Sequence, residues 1–187
     1  MKAIAIFGAL LLTGAISASA QQSQINTTKS EVNWTGNKIG GSHNGGIKIK
    51  SGYFHLNDGN IVSGEVLMDM NSITNYDLKD EGYNQKLVGH LKSDDFFGVE
   101  KYPTSSFRVT KASPFVNGKA TLTGVLTIKG KAENISVDIT KKDNIYTAQL
   151  KVDRSKYDVR YGSKSFFDNL GDNIIDDIFI LDIKIVL

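Results

Sequence analysis

From Glu31 onward, apolar and polar positions alternate along most of the chain. Ile135, Val137 and Ile139 alternate with Asn134, Ser136 and Asp138. Tyr146, Ala148, Leu150 and Val152 alternate with Thr147, Gln149, Lys151 and Asp153. Ala120, Leu122, Leu126 and Ile128 share a face opposite Thr121, Thr123 and Thr127, and Phe179, Leu181, Ile183, Ile185 and Leu187 share another. A period of two predicts strands with one dry and one wet face, the habit of antiparallel sheets. Four shorter stretches read less cleanly: Val32 with Trp34; Ile47, Ile49 and Tyr53; Val62, Val66, Met68 and Met70; Phe107 with Val109. Turn signals separate them at Asn57-Asp58-Gly59-Asn60, Asn117-Gly118, Lys129-Gly130 and Lys142-Asp143-Asn144. About eight strands at roughly 8–12 residue spacing predict an all-β sandwich or barrel.

One segment breaks the period. Between Asp77 and Leu91, Tyr83, Leu87, Val88 and Leu91 fall on one stripe of a helix, with Asp77 or Asp80 as its cap. Ser93-Asp94-Asp95-Phe96-Phe97 follows as a second short turn, capped by Ser93 or Asp94. This small helical insertion lies between strands three and four, where it would cap one mouth of a barrel.

The first twenty residues read as an address. Lys2, the apolar run Ile4–Ile16 and the small residues Ala18-Ser19-Ala20 form the three parts of a secretory signal peptide. The run is shorter than the roughly 20 apolar residues of a spanning helix, so no transmembrane anchor is expected. Cleavage near Ala20 would leave a polar, flexible leader over 21–30, a single domain over 31–187, and a periplasmic or secreted protein.

Composition narrows the chemistry. The chain has 187 residues, 40% hydrophobic and 22% charged, with a formal charge of +2 and no cysteine. No disulfide, thiolate metal site or cysteine nucleophile can form, and no concentrated basic face is available for nucleic acid. His43, His55 and His90 match no metal-ligand spacing. The acidic run Asp168–Asp177 lacks the ligand alternation of a calcium loop and reads as solvated. No nucleophile elbow, SxxK or phosphate loop occurs, so neither an enzyme nor a cofactor is expected. What remains is the apolar inventory. A barrel of about eight strands can be filled by side chains or can hold one small ligand, and composition leaves both open.

Several segments, in order, resemble the YceI-like family: Trp34–Lys38 with Gly41–Gly45, then His90–Phe97, Tyr102–Phe107, Leu122–Gly130 and Val152–Tyr157. The resemblance runs from about residue 30 to the C-terminus. Arg160–Asp177 carries no family motif. The resemblance implies an eight-stranded antiparallel, lipocalin-like β-barrel capped by a helix. It also implies a non-catalytic role: binding a polyisoprenoid or other long-chain lipid in an apolar cavity, for transport or sequestration in the bacterial envelope. On that reading Trp34, Met68, Met70, Phe107, Leu122, Leu126, Ile135, Val137 and Tyr146 line the tail. Leu87, Leu91 and Phe96 close one end. Lys38, His43 and Arg154 are the head-group candidates, with Arg154 equally suited to a structural pair with Asp153 or Asp158. An isoprenoid quinone, a fatty acid or a fatty amide would suit the same slot. A lipid-modifying enzyme and a solid barrel acting through its surface are the other readings. Val125, Ile178, Ile180 and Val186 fall on outer strand faces, which would allow a homodimer.

Overall fold

The computed structural model describes residues 20–187; the expected signal peptide lies outside this range except for its last residue. The strands are β1 (Gln21–Gln24), β2 (Glu31–Lys38), β3 (Gly41–Asn57), β4 (Asn60–Asp69), β5 (Thr104–Ala112), β6 (Lys119–Ile128), β7 (Lys131–Lys142), β8 (Ile145–Asp153) and β9 (Ile175–Val186). All pair antiparallel in the order β1-β3-β2-β9-β8-β7-β6-β5-β4, and β3 pairs again with β4. Strands β2 to β9 therefore form a closed eight-stranded barrel. One helix, α1 (Glu81–Lys92), lies between β4 and β5, in the predicted crossover.

The predicted turns connect the strands. Asp58-Gly59, Asn117-Gly118 and Lys129-Gly130 each place two successive residues at positive φ. That conformation suits a two-residue hairpin between right-twisted strands, and Gly tolerates it where a Cβ would clash.

Two faces come out differently from the alternation. An extra residue, Lys50, enters β3 between the rungs Ile49↔Met68 and Ser51↔Leu67. Another, Val62, enters β4 between Ser63↔His55 and Ile61↔Leu56. Each bulge shifts the period by one and exchanges the faces beyond it. Phe54 is therefore buried in place of Tyr53, and Ile61 in place of the exposed Val62.

The segment 21–30 is not a loose leader. β1 extends the β2 side of β3, from Gln21↔Leu56 to Gln24↔Tyr53. Ile25 is buried and donates its N–H to Gly52 O, while the Asn26 N–H reaches Val186 O. Backbone pairing outweighs the polar composition of these side chains. The same segment covers the outward face of β9 at Val186, which is therefore buried; Ile178 remains 42% exposed.

Two polar clusters fix the cap. Asp80 caps α1 by accepting from the Tyr83 N–H at 2.9 Å. Asp77, the alternative cap, turns instead toward β3. It accepts from the Asn44 N–H (2.9 Å) and Asn75 Nδ2 (2.6 Å), and its other oxygen lies 2.7 Å from His43 Nδ1. The second cluster is centred on Arg154, buried in the 3-10 turn Arg154–Tyr157. Its Nε donates to Asp176 O, Nη1 to the carbonyls of Val159 and Tyr161, and Nη2 to Ile175 O, all within 2.8–3.0 Å. Asp177 Oδ1 faces Nη2 at 3.4 Å, an ion-pair distance rather than a hydrogen bond. Arg154 thus ties the long 158–174 loop to the start of β9.

One seam of the wall is incomplete. β7 and β8 pair over four rungs, Ile139↔Ala148 to Lys142↔Ile145. Beyond Ile139 and Ala148 the two strands continue with no ladder between them.

Three outcomes follow. Arg154→Lys keeps the charge but cannot reach four carbonyls, so it should lower unfolding stability by about 3 kcal/mol or more, read by chemical denaturation. Burial opposes the charge on Asp77, but the bonds from Asn44, His43 and Asn75 outweigh it and hold the carboxyl at about 2. A depressed pKa contributes stability that is complete above the ordinary value of about 3.9 and lost as pH falls through about 2. Asp77→Asn should therefore cost about 1–2 kcal/mol at neutral pH and flatten the stability profile between about pH 4 and pH 2. In hydrogen exchange, alternate amides of residues 131–138, those turned away from β6, should exchange faster than their neighbours.

Candidate functional site, an apolar cavity within the barrel

The inward faces of the strands do not meet at the barrel axis. They enclose a cavity of about 250 Å³. Residues small enough to spare space lie beside large ones. At Gly124 a Cβ would fall 2.7 Å from the Phe107 ring and 2.3 Å from Arg108 O, so the aromatic ring occupies the place of a side chain.

The far end is plugged. Phe54 and Phe115 each lie 6.0 Å from the Tyr146 ring, centroid to centroid. Lys141 Nζ sits over both Phe115 and Tyr146 and donates to Gly59 O. Burial pushes the Tyr146 phenol up, so it stays neutral. Leu122, Val137, Ile61 and Ile139 form the wall beside this plug. The middle is Trp34, Met68, Phe107, Leu126 and Ile135. Trp34 is fixed by its Nε1–H, which donates to Thr74 O at 3.1 Å. The near end is roofed by Met70, Leu87, Leu91 and Phe96, so α1 and the turn after it cover the barrel. All twelve apolar residues read from the sequence as tail-lining or closing residues are on the cavity wall.

The charged groups gather where the cavity reaches the surface. Asn37, Lys38, His43, Arg154 and Asp176 line this mouth, between the β2–β3 hairpin, Leu87 of α1 and the start of β9. Lys38 is exposed. His43 is held through Nδ1 by Asp77, which leaves Nε2 uncommitted among the described hydrogen bonds. Arg154 is at the cavity edge, but Nε and both Nη atoms already donate to four carbonyls, and Nη2 also faces Asp177 as an ion pair. It is a structural residue with partners other than Asp153 or Asp158, and no free fork is left for a phosphate. His55 and His90 stand elsewhere. His55 links Ser63 and Gln22 on the outer face, and His90 packs its ring against Phe96 and Tyr161.

Sequence reasoning missed part of the wall. Phe97 and Phe179 meet edge to face at 6.3 Å beneath α1, and Asn37 and Asp176 complete the mouth. The alternation of β9 already marked Phe179, Leu181 and Ile183 as one face. Nothing in the sequence linked His43 to Asp77, which are 34 residues apart. Among the described hydrogen bonds, His43 meets no hydroxyl that it could activate. Among the described residues, no three His, Asp or Glu side chains converge as metal ligands. What the wall presents is an almost wholly apolar surface from which water is excluded.

The comparisons agree with this architecture. The model of the YceI-like domain matches residues 24–187. Burkholderia cenocepacia BcnA superposes with a TM-score of 0.69 at 24% identity, covering 87% of this chain and 99% of its own. A polyisoprenoid binding domain from Saccharophagus degradans, implicated in plant cell wall breakdown, gives 0.58 at 12% identity over 89% and 97%. A mutant Campylobacter jejuni YceI protein gives 0.50 at 17% identity over 98% and 97%. No curated protein matches the chain. A closed barrel with a roofed apolar interior, and a family model spanning nearly all of its length, place this chain in the YceI-like family.

Proposed function

We propose that this protein binds one long-chain lipid of isoprenoid type within the barrel and carries or sequesters it in the bacterial envelope, without chemical change. The observation that carries this reading is the distribution of polarity along the cavity. From the Tyr146 plug to Leu87 the wall is apolar apart from the uncharged Ser105, Ser106 and Thr147, and the charged groups are confined to the mouth. Such a slot takes a chain tail-first and leaves its head in water. Each buried methylene contributes about 0.8 kcal/mol, so a long tail binds tightly without specific polar contacts. Selectivity then comes from slot length and the groups at the mouth. The polyisoprenoid-binding description of the Saccharophagus domain supports the ligand class. The signal-peptide pattern of residues 1–20 supports export.

Native mass spectrometry of protein purified from a bacterial periplasm tests the reading. The expected result is an added mass that leaves on solvent extraction and is a prenyl or acyl lipid. A protein free of lipid that also refuses geranylgeraniol added in detergent would overturn it. Leu126→Trp fills the middle of the slot and should lower lipid occupancy at least about tenfold while the barrel still folds, since overpacking costs only about 1–3 kcal/mol. Lys38→Ala should weaken anionic lipids by about two- to fivefold, less at high salt, and leave neutral ones unchanged.

A further inference from the structure

We propose that the rim around the cavity mouth is a membrane-docking surface, inserting into the interfacial layer of a lipid bilayer so that the ligand passes between bilayer and barrel without crossing water. The inference rests on the lipid-binding reading above. Its own observation is the placement of exposed apolar residues. Ile39 is 48% exposed at the tip of the β2–β3 hairpin, Tyr83 is 68% exposed on α1, and Phe166 and Phe167 are 37% and 48% exposed in the 158–174 loop.

These residues come from three separate elements, and the structure holds the three elements together. The Ile39 N–H donates to Ile174 O at 3.1 Å, which joins the hairpin tip to the end of the loop. The Ile175 N–H donates to Gly162 O at 2.8 Å and closes the loop at its base. Tyr161 meets His90 of α1 with ring centroids 4.4 Å apart. The opening lies inside this ring. Lys38, next to Ile39, lines the cavity, as do Leu87, one helical turn beyond Tyr83, and Ile175, at the end of the loop.

Scattered exposed apolar residues need no explanation, but a cluster around a lipid slot does. Tyr and Phe rings favour the boundary between water and acyl chains. The rim carries Lys38, Lys86, Arg160 and Lys164 against Glu81, Asp168, Asp172 and Asp176, all exposed. This near balance assigns the docking to apolar insertion rather than to attraction by anionic head groups. A lipid surface is favoured over a protein partner because the apolar rim is continuous with the apolar slot, so one occupant satisfies both.

Flotation with phosphatidylcholine vesicles tests the proposal. The protein should float with them, and adding phosphatidylglycerol should change the bound fraction little. The combined variant Ile39→Ser, Tyr83→Ser, Phe166→Ser, Phe167→Ser touches no cavity-lining residue. It should bind vesicles about tenfold or more weakly and take geranylgeraniol from vesicles correspondingly more slowly. Its uptake of geranylgeraniol from detergent and its Tm should match the parent. Val116→Ser, which removes an exposed apolar residue from the loop before β6, should leave vesicle binding intact. Parent protein that stays unbound, a rim variant that floats like the parent, or a rim that serves as a dimer interface in solution would each overturn docking. Vesicle binding without any uptake of geranylgeraniol from detergent would instead overturn the lipid-carrier reading and leave the docking surface standing.

Discussion

Everything in this molecule depends on how an eight-stranded antiparallel barrel fills its middle. The ladder removes sheet edges nearly all round the wall, and strand number sets the width of the interior. At eight strands the inward side chains decide between a solid core and a slot. Here the large residues collect at two places. Phe54, Phe115 and Tyr146 plug one end, while Phe96, Phe97 and Phe179 pack beneath α1 at the other. Between them the wall is Trp34, Met68, Phe107, Leu126 and Ile135, with the Phe107 ring drawn back over Gly124.

An interior that does not pack itself cannot hold its own lid, so the cap is anchored from outside the slot. Asp77 fastens the approach to α1 onto β3, and Arg154 fastens the 158–174 loop onto β9. Arg154 does so through backbone carbonyls, Asp77 through one backbone N–H and the side chains of Asn75 and His43. A buried charge spread over several carbonyls is costly to break and hard to replace with another side chain. This accounts for Arg154 standing at the cavity edge with nothing left to give a ligand. Arg154 thus serves the frame of the mouth, while His43 serves both, bonded to Asp77 through Nδ1 with Nε2 left at the opening.

Most of the fold was legible because a period of two is a local signal. The faces of β6, β7, β8 and β9 follow from alternation alone, and so does their share of the cavity wall. The same signal failed at Tyr53 and Val62, where one inserted residue reverses the faces without any mark in composition. It failed at 21–30 because β1 is held by backbone pairing, which polar side chains do not announce. The His43–Asp77 contact and the carbonyl cage around Arg154 were illegible for a third reason. They join residues far apart in sequence, and only the closed barrel brings them together.

The slot also has an energetic meaning. Cavities in cores cost roughly 24 cal/mol per Å³, so about 250 Å³ corresponds to something on the order of 6 kcal/mol relative to a filled interior. That is comparable to the whole stability of many domains, about 5–15 kcal/mol. A chain that folds around such a void must recover the difference from its ladder and its polar clusters, or from a bound apolar chain. Occupancy and stability are then linked: whatever fills the slot stabilises the barrel by mass action, in proportion to the logarithm of its concentration over its Kd. The β7–β8 seam, with four rungs where the neighbouring strand pairs have more, is where a barrel built this way has least hydrogen bonding to lose if its interior swells. The plug and the cap fix the two ends of the slot, while the least tightly bonded part of the wall lies alongside its middle, next to Ile135 and Leu150. The fold thus concentrates its side-chain hydrogen bonds at the mouth and its aromatic packing at the base, and leaves the fewest ladder bonds beside the middle of the slot.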